Sequence, residues 1–530
     1  MSWARWFTLG IPPLLLVAYW AVGVLLDAGP VDDTYIFLRY ADNLAKGHGP
    51  VFNVGERVEG YTSPLWLLCL GLLSKVRLDL VWGSGSLSAT FGAATILALL
   101  SACRTSLSPG RKIIAAAPAW FLATNPAFAY WAWSGMDTLL FTFLFCTTLW
   151  VFLRQVRQPR AIWGAGICYL LATLSRLDML ATLPVYLVAI AAADRGKRAL
   201  LRNYVSFLAP QFLLLAHFLW RHAYYGSWLP NTYYAKADIP LPVLLDAGTG
   251  YTGAFAGAYA LPLGLVLVAL LARLRDRQGV PLEWSVSCAL IGMWTIYVTY
   301  VGGDFFAMFR FYLPILPVLA WLCGSMVDWL TARLFAGSSR HAFAAAALLL
   351  LCLSGLNYAV YRHHGGPRAR AEVALARYRV AEGRWFRANA PRTATIAAVA
   401  IGGIAYSSQL KTYDMVGLTD REVATRGRVY PRARAGHAKY HTDYILAQEP
   451  DYIVFLTGGA DEPHQQRIEH LDKDYGYALY DLVTDPRTRG LYDYQAVRMA
   501  DGRCIEFLER KGTLYEGPMR KRCASWPGDD

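Results

Sequence analysis

Val31-Asp32-Asp33-Thr34-Tyr35-Ile36-Phe37-Leu38-Arg39-Tyr40, continued by Asn53-Val54-Gly55-Glu56-Arg57-Val58-Glu59-Gly60-Tyr61-Thr62-Ser63-Pro64, decides how this chain is read. The stretch follows directly on an apolar run of about 20 residues that ends at Leu26. Two adjacent carboxylates therefore stand at the mouth of a membrane span, where charge is costly to hold near low dielectric. That cost marks a site for acid–base or metal chemistry. The plain alternative is a polar loop that ends a helix.

Composition places the stretch beside a bilayer. Of 530 residues, 55% are hydrophobic, against about 45–50% in soluble globular chains. The excess lies in runs of roughly 17–24 residues, long enough to cross a hydrocarbon core. A net charge of +13 raises the question of nucleic acid, but no basic stripe with interleaved aromatics is present. The basic residues of the apolar two-thirds fall mainly between runs, as in cytoplasmic loops. The first run carries only Arg5 before it, is long for a signal peptide and lacks a small-x-small cleavage site ahead of Asp32, so it reads as a retained span.

Working outward, the sequence predicts about eleven spans, at 7–27, 82–103, 112–127, 137–153, 161–175, 177–193, 203–221, 251–272, 284–301, 311–332 and 342–361. Leu65–Leu73 is too short to cross and reads as an interfacial helix between Pro64 and Lys75. With the N-terminus inside, the inner loops hold Arg104, Arg111 and Lys112, then Arg154, Arg157 and Arg160, then Arg195, Lys197, Arg198 and Arg202, then Arg273, Arg275 and Arg277, then Arg333 and Arg340. The short outer loops are poor in Lys and Arg, as the positive-inside rule requires. This predicts a multi-pass protein of the cytoplasmic membrane, with a membrane domain over 1–362 and an extracytoplasmic α/β domain over 363–530. Within the latter, Arg368–Ala390 reads as a helix, and Ala394–Ala400, Tyr452–Leu456, Tyr477–Val483 and Cys504–Leu508 read as strands. Gly402-Gly403 lacks the spacing of a nucleotide loop and reads as a strand-to-helix turn. Seven of nine cysteines lie in apolar runs; Cys504 and Cys523 lie in the polar part, where an oxidising compartment would allow them to pair.

On this topology the unusual polar clusters fall on one side: Asp32-Asp33, Ser134-Gly135-Met136-Asp137, Ser175-Arg176-Leu177-Asp178, Tyr224–Lys236, and Gly302-Gly303-Asp304 with Arg310. Singly, each reads as turn chemistry or an interfacial aromatic belt. Together they predict a shared extracytoplasmic cavity. There a carboxylate can deprotonate an acceptor hydroxyl or stabilise an oxocarbenium-like centre. Arg and Lys can hold a lipid phosphate, and Tyr35, Tyr61, Trp131, Trp133 and Trp228 can stack on sugars or line a lipid path.

The motifs Asp32-Asp33-x-Tyr35-Ile36 with Arg39-Tyr40, Asn53-x-Gly55-Glu56-x-Val58-Glu59-Gly60-Tyr61-Thr62, Ser134-Gly135-Met136-Asp137, Arg176-x-Asp178, Tyr225-Gly226-x-x-Leu229-Pro230-Asn231-Thr232, Gly302-Gly303-Asp304, Asp414-x-x-Gly417-Leu418 and Gly436-His437-x-Lys439 resemble the polytopic GT-C glycosyltransferases. Among these, the chain is most similar to the mycobacterial terminal arabinofuranosyltransferase family. Asp137 departs from that pattern, where Glu is expected. The resemblance implies a polyprenyl-phosphate sugar donor, arabinofuranose foremost with mannose or a hexosamine as alternatives, and a cell-envelope glycan or protein acceptor beside membrane lipid. Asp32 and Asp33 then take the catalytic position. Arg39, Lys236 and Arg310 are candidates for the donor phosphate, and Glu59, Tyr61, Asn231 and Asp304 for sugar or acceptor. The one cofactor class the adjacent acids admit is a divalent cation, although six or so oxygens do not assemble from spacing. A flippase of lipid-linked glycans is the rival reading; it calls for paired repeats and midplane charges, and neither is present.

Overall fold

The computed structural model describes residues 3–512, apart from 107–113, 115, 194–195, 276–278, 335–338, 365, 431–437, 456–475 and 500. Arg111, Lys112, Arg195, Arg277, Gly436, His437 and Cys523, named above, lie outside the described residues. The chain forms two compact units that do not follow a single cut. One holds Met1–Gly29, Ser84–His217 and Leu245–Arg370; the other holds Pro30–Gly83, Phe218–Leu244 and Ala371–Asp530.

The first unit is helical. Among the described residues, five helical stretches in the chain are long and apolar enough to cross a bilayer unaided: Leu80–Thr105, Thr138–Gln155, Lys197–Tyr225, Arg310–Leu334 and Phe343–His364. Shorter apolar helices, Gly10–Leu25, Trp163–Ser175 and Leu177–Ala193, accompany them. The sequence predicts one span over 251–272. The structure instead breaks it into Leu241–Ala258 and Ala260–Leu274, bent by 84°. Pro262 explains the break: it has no N–H to give to the Ala258 carbonyl, and its ring disfavours a continuous helix. Gly248 lets Leu241–Ala258 lie directly on Leu282–Tyr300, since a Cβ there would overlap the Thr299 carbonyl oxygen. Such small-residue contacts replace the hydrophobic drive that lipid cannot supply. Two buried asparagines inside the unit pair with each other and with the backbone. Asn125 caps Pro126–Trp133 by accepting from the Phe128 N–H at 3.0 Å and donates to Asn357 Oδ1 at 2.9 Å. Asn357 in turn donates to the Phe121 carbonyl at 2.9 Å.

The second unit is built on a mixed five-stranded sheet. Its strands come from β1 (Thr395–Ala398), β2 (Lys411–Asp414), β5 (Tyr452–Val454), β6 (Tyr492–Arg498) and β7 (Cys504–Arg510), in the order β2-β1-β5-β7-β6. β1 runs parallel to β2 and β5, with Ile396 opposite Thr412 and Tyr452; β7 runs antiparallel to β5 and β6. A separate ribbon pairs β3 (Arg428–Val429) with β4 (Lys439–Tyr440). The helix Gly366–Asn389 covers the sheet through Phe386, whose ring lies 5.1 Å from Tyr452 and 5.4 Å from Phe507. Tyr477–Val483, expected as a strand, is a helix over Tyr477–Thr484. Its buried residues, Ala478, Leu479, Leu482 and Val483, recur at helical spacing rather than alternating. Cys504 is buried at the start of β7.

Two helices of the first loop belong to this unit: Asp32–Ala45 and Pro64–Lys75. The latter, at 12 residues, reaches only about 18 Å. It buries Trp66, Leu67 and Leu70 and exposes Leu68 and Leu72. Replacing Gly248 by Leu should force its helix off Leu282–Tyr300; a lower melting temperature and poorer monodispersity of the detergent-purified protein are the expected result, while Gly250→Leu, which meets open space, leaves both unchanged.

Candidate active site

The helix Asp32–Ala45 starts with both first-loop acids in its opening turn, where carboxylates complement the helix dipole. Asp32 does more than that. Its two oxygens accept the Gly402 N–H at 2.9 Å and the Gly403 N–H at 2.8 Å. These amides open the short helix Gly402–Ser408 directly after β1. A Cβ on Gly402 would overlap the Asp32 carbonyl oxygen, and one on Gly403 would press on Arg379 and Val380, so both positions demand glycine. Burial raises the Asp32 pKa, against the pull of the two amides and of Arg379. The Gly-Gly turn thus holds an anion of its own chain.

Beneath it sits a buried ion pair that spacing alone does not single out. Arg379 donates to Glu382 at 2.6 Å, and neither side chain is exposed to solvent. Burial pushes Glu382 up to about 7. The i,i+3 spacing on one helix is the sequence signal, a weak one because most such pairs are solvated.

Arg39 is buried and donates to three backbone carbonyls: Phe52 at 2.7 Å, Leu410 at 2.8 Å, and Ala405. The sequence reading offers it to a donor phosphate; its observed partners make it a clamp between the first loop and the segment around β2. Asn53 does the same work, giving to the Thr412 carbonyl at 2.9 Å and accepting its N–H at 3.1 Å.

Glu59 and Arg221 form a second buried pair at 2.7 Å, with 2% and 0% of their side chains exposed. Burial lifts Glu59 to about 7 despite the guanidinium. Arg221 was legible only as a cation ending an apolar run. Tyr61 shares a hydrogen bond of 3.0 Å with the Tyr225 hydroxyl. Asn231 donates to the carbonyls of Gly417 at 2.7 Å, Leu418 at 3.2 Å and Asp420 at 3.1 Å, while its own N–H reaches the Glu59 carbonyl at 2.8 Å. The 417–420 turn is shaped in turn by Asp414, which accepts the N–H groups of Val416, Gly417 and Thr419 at 3.0, 3.1 and 2.8 Å. Lys236 is exposed in the last turn of Asn231–Lys236.

The remaining clusters meet within the first unit. Asp304 receives Arg310 in a two-point fork at 2.7 and 2.9 Å. The Arg310 guanidinium lies 4.6 Å from the Phe306 ring and 5.2 Å from Trp131. Arg176 binds Asp178 at 2.5 Å and stands 3.7 Å from the buried Asp137, and Tyr297 donates to Asp178. The five sequence clusters therefore converge in two sets: 31–64 with 224–236 in one unit, and 134–137, 175–178 and 302–310 in the other.

The residues do not fit the divalent cation that adjacent acids suggested. Among the described residues no three His, Cys, Asp or Glu side chains gather as ligands, and the Asp32 oxygens are already held by amides.

The chain shares its fold, helices of membrane-spanning length with a small mixed-sheet unit, with two solved proteins. ArnT from Cupriavidus metallidurans, solved bound to undecaprenyl phosphate, aligns over 98% of this chain and 100% of its own at a TM-score of 0.57 and 11% identity. The archaeal oligosaccharyltransferase AglB from Archaeoglobus fulgidus, in complex with an inhibitory peptide and a dolichol-phosphate, aligns over 98% of this chain and 76% of its own at 0.58 and 12%. In sequence the chain is similar to a terminal beta-(1->2)-arabinofuranosyltransferase of Corynebacterium glutamicum, 30% identical over 331 residues, which is 54% of this chain and 46% of that protein. The chain thus spans about half the length of the curated relative it matches. Residues 369–503 match a family described as a domain of unknown function, DUF8728.

Breaking the Glu59–Arg221 pair from one side should be worse than removing it whole. Arg221→Leu alone is expected to cost about 3–5 kcal/mol by stranding a buried carboxylate, and the double change to Leu at both positions less than that. Thermal melts of the three proteins in one detergent check this.

Proposed function

We propose that this chain is a membrane glycosyltransferase that moves a sugar from a polyprenyl-phosphate donor to a cell-envelope glycan or protein acceptor, on the outer face of the cytoplasmic membrane. The observation that carries the reading is the acid pair at the start of Asp32–Ala45, fixed in place within a GT-C fold by the amides of Gly402 and Gly403. Arabinofuranose is the favoured sugar, because the curated relative is named for it. A polyprenyl carrier is supported by the undecaprenyl phosphate on ArnT and the dolichol-phosphate on AglB.

The chemistry rests on the two acids. Asp32 is held in position by two amides, and the acid pair together takes the acceptor. As the acceptor oxygen bonds to the anomeric carbon, its proton passes to a carboxylate of this pair. The bond from that carbon to the donor phosphate breaks, and the polyprenyl phosphate leaves with the electron pair. General-base assistance of this kind is worth about 10²–10⁴-fold. Lys236, exposed at a helix end, suits a lipid phosphate as a point charge. Arg310, in the other unit, spends its fork on Asp304. Arg39 and Asn231 support the site through the backbone they hold, Glu59 through its pair with Arg221, and the buried Tyr61 through its bond to Tyr225.

Asp33→Asn should lower transfer from a synthetic polyprenyl-phosphate arabinofuranose by about 10²-fold or more. Asp32→Asn should lower stability and activity together. Full activity in both variants would remove the acid pair from the mechanism. Labelling of single cysteines placed at 55 and 57 by an impermeant reagent on intact cells checks the sidedness; protection of both until lysis would reverse it.

A further inference from the structure

The second unit contains a cleft of about 330 Å³ that none of the residues above enters. It lies between β4 with the helix Thr442–Ala447 on one side and the helices Tyr477–Thr484 and Pro486–Leu491 on the other. Every side chain that lines it carries a polar group. We propose that this cleft is a subsite for a neutral, polyhydroxylated glycan, the acceptor chain of the transferase reaction; the inference rests on the reading above.

The charges set the ligand class. Arg428 and Arg487 face three carboxylates, Asp443, Asp481 and Asp485, so the lining carries a slight negative excess. A phosphate, a nucleotide or the lipid carrier would be repelled. The acids are not left to repel one another, because Arg487 bridges Asp443 at 2.5 Å and Asp485 at 2.6 Å, and Arg428 stands 3.6 Å from Asp443. That lattice offers donors and acceptors side by side. Each guanidinium has five N–H groups and each carboxylate about four acceptor positions, so capacity remains after the internal pairs are made. A sugar hydroxyl both donates and accepts, and neighbouring hydroxyls on a ring match such an alternating surface.

Three further details agree. His441 uses Nδ1 to accept the Tyr444 N–H at 3.3 Å, which points Nε2 away from its own helix at the cleft wall. Thr442 is fixed by Asp481 at 2.5 Å. Tyr440, also in the lining, is backed edge-on by Tyr477 at 5.1 Å, and Tyr477 stacks on Tyr430 at 4.3 Å. A braced tyrosine beside polar groups gives a sugar a ring to rest against. A cation is the wrong occupant, because among the described residues no three acidic, His or Cys groups converge as ligands. The cleft falls inside 369–503, so it would give the matched domain of unknown function a role in holding acceptor.

The test uses the full-length protein in nanodiscs, with short and long arabinofuranosyl oligosaccharides and the synthetic donor. Arg487→Gln, at an exposed position, and Asp481→Asn each remove one charge. Either should raise KM for the long acceptor about tenfold, the scale of one charge-assisted hydrogen bond. The value of kcat, and KM for an acceptor too short to reach the cleft, should not move. Direct titration of the long oligosaccharide by calorimetry should show the same loss of affinity, and an oligouronate should not bind the wild-type protein. An unchanged KM for the long acceptor, equal binding in variant and wild type, or binding of the oligouronate or a peptide in place of the neutral glycan would overturn the assignment. If the wild-type protein transfers no sugar at all, the transferase reading fails on its own, and calorimetry still decides the cleft.

Discussion

A carboxylate on two backbone amides ties together segments 370 residues apart: Asp32 at the start of one helix and Gly402-Gly403 at the start of another. Each partner is poorly served without the other. The first amides of a helix have no partner inside it, and an acid beside a membrane has lost much of its water. Joined, they satisfy both demands, with charge-assisted bonds worth roughly 1.5–3 kcal/mol each. Gly402 follows from this contact, because a Cβ there would occupy the space of the Asp32 carbonyl, and Gly403 from the close approach of Arg379 and Val380. The position of Asp33 follows as well, since it is the next residue on the same helical turn.

The same economy recurs around that contact. Arg39, Asn53, Asn231 and Lys439 spend their side-chain donors on backbone carbonyls of distant segments rather than on solvent. Lys439 binds the Ala424 carbonyl at 2.7 Å and Asp238 at 2.7 Å. Glu59 with Arg221 and Arg379 with Glu382 bury full charges in pairs. Such pairs add little net stability against an apolar replacement, yet breaking one leaves a stranded charge. They therefore fix arrangement more than they add energy. Such fixed arrangement matters wherever a reacting group must be placed, because small misplacements are costly.

The sequence by itself settled the class. Apolar runs of spanning length, basic residues between them and acids after the first run follow from the dielectric of a bilayer, which acts on every segment locally. The short Pro64–Lys75 helix, the helix before β1 and three of the predicted strands were legible for the same reason: period and turn chemistry are local. The strand expected at 477–483 failed because a short apolar run carries no clear period, and packing against the sheet unit chose the helix. The break at Tyr259 was written in Pro262 but masked by the strength of the apolar run around it.

What the tertiary structure alone decided is the work of each polar residue. Nothing in the letters says that Arg39 faces carbonyls, that Arg221 meets Glu59, or that Gly402-Gly403 seats an aspartate from the far end of the chain. Those partners lie between about 160 and 370 residues apart in sequence, and hydrogen-bond geometry is fixed only when the fold brings them within reach. The residue types announced a site at the membrane edge. Long-range pairing decided which of them hold distant segments together.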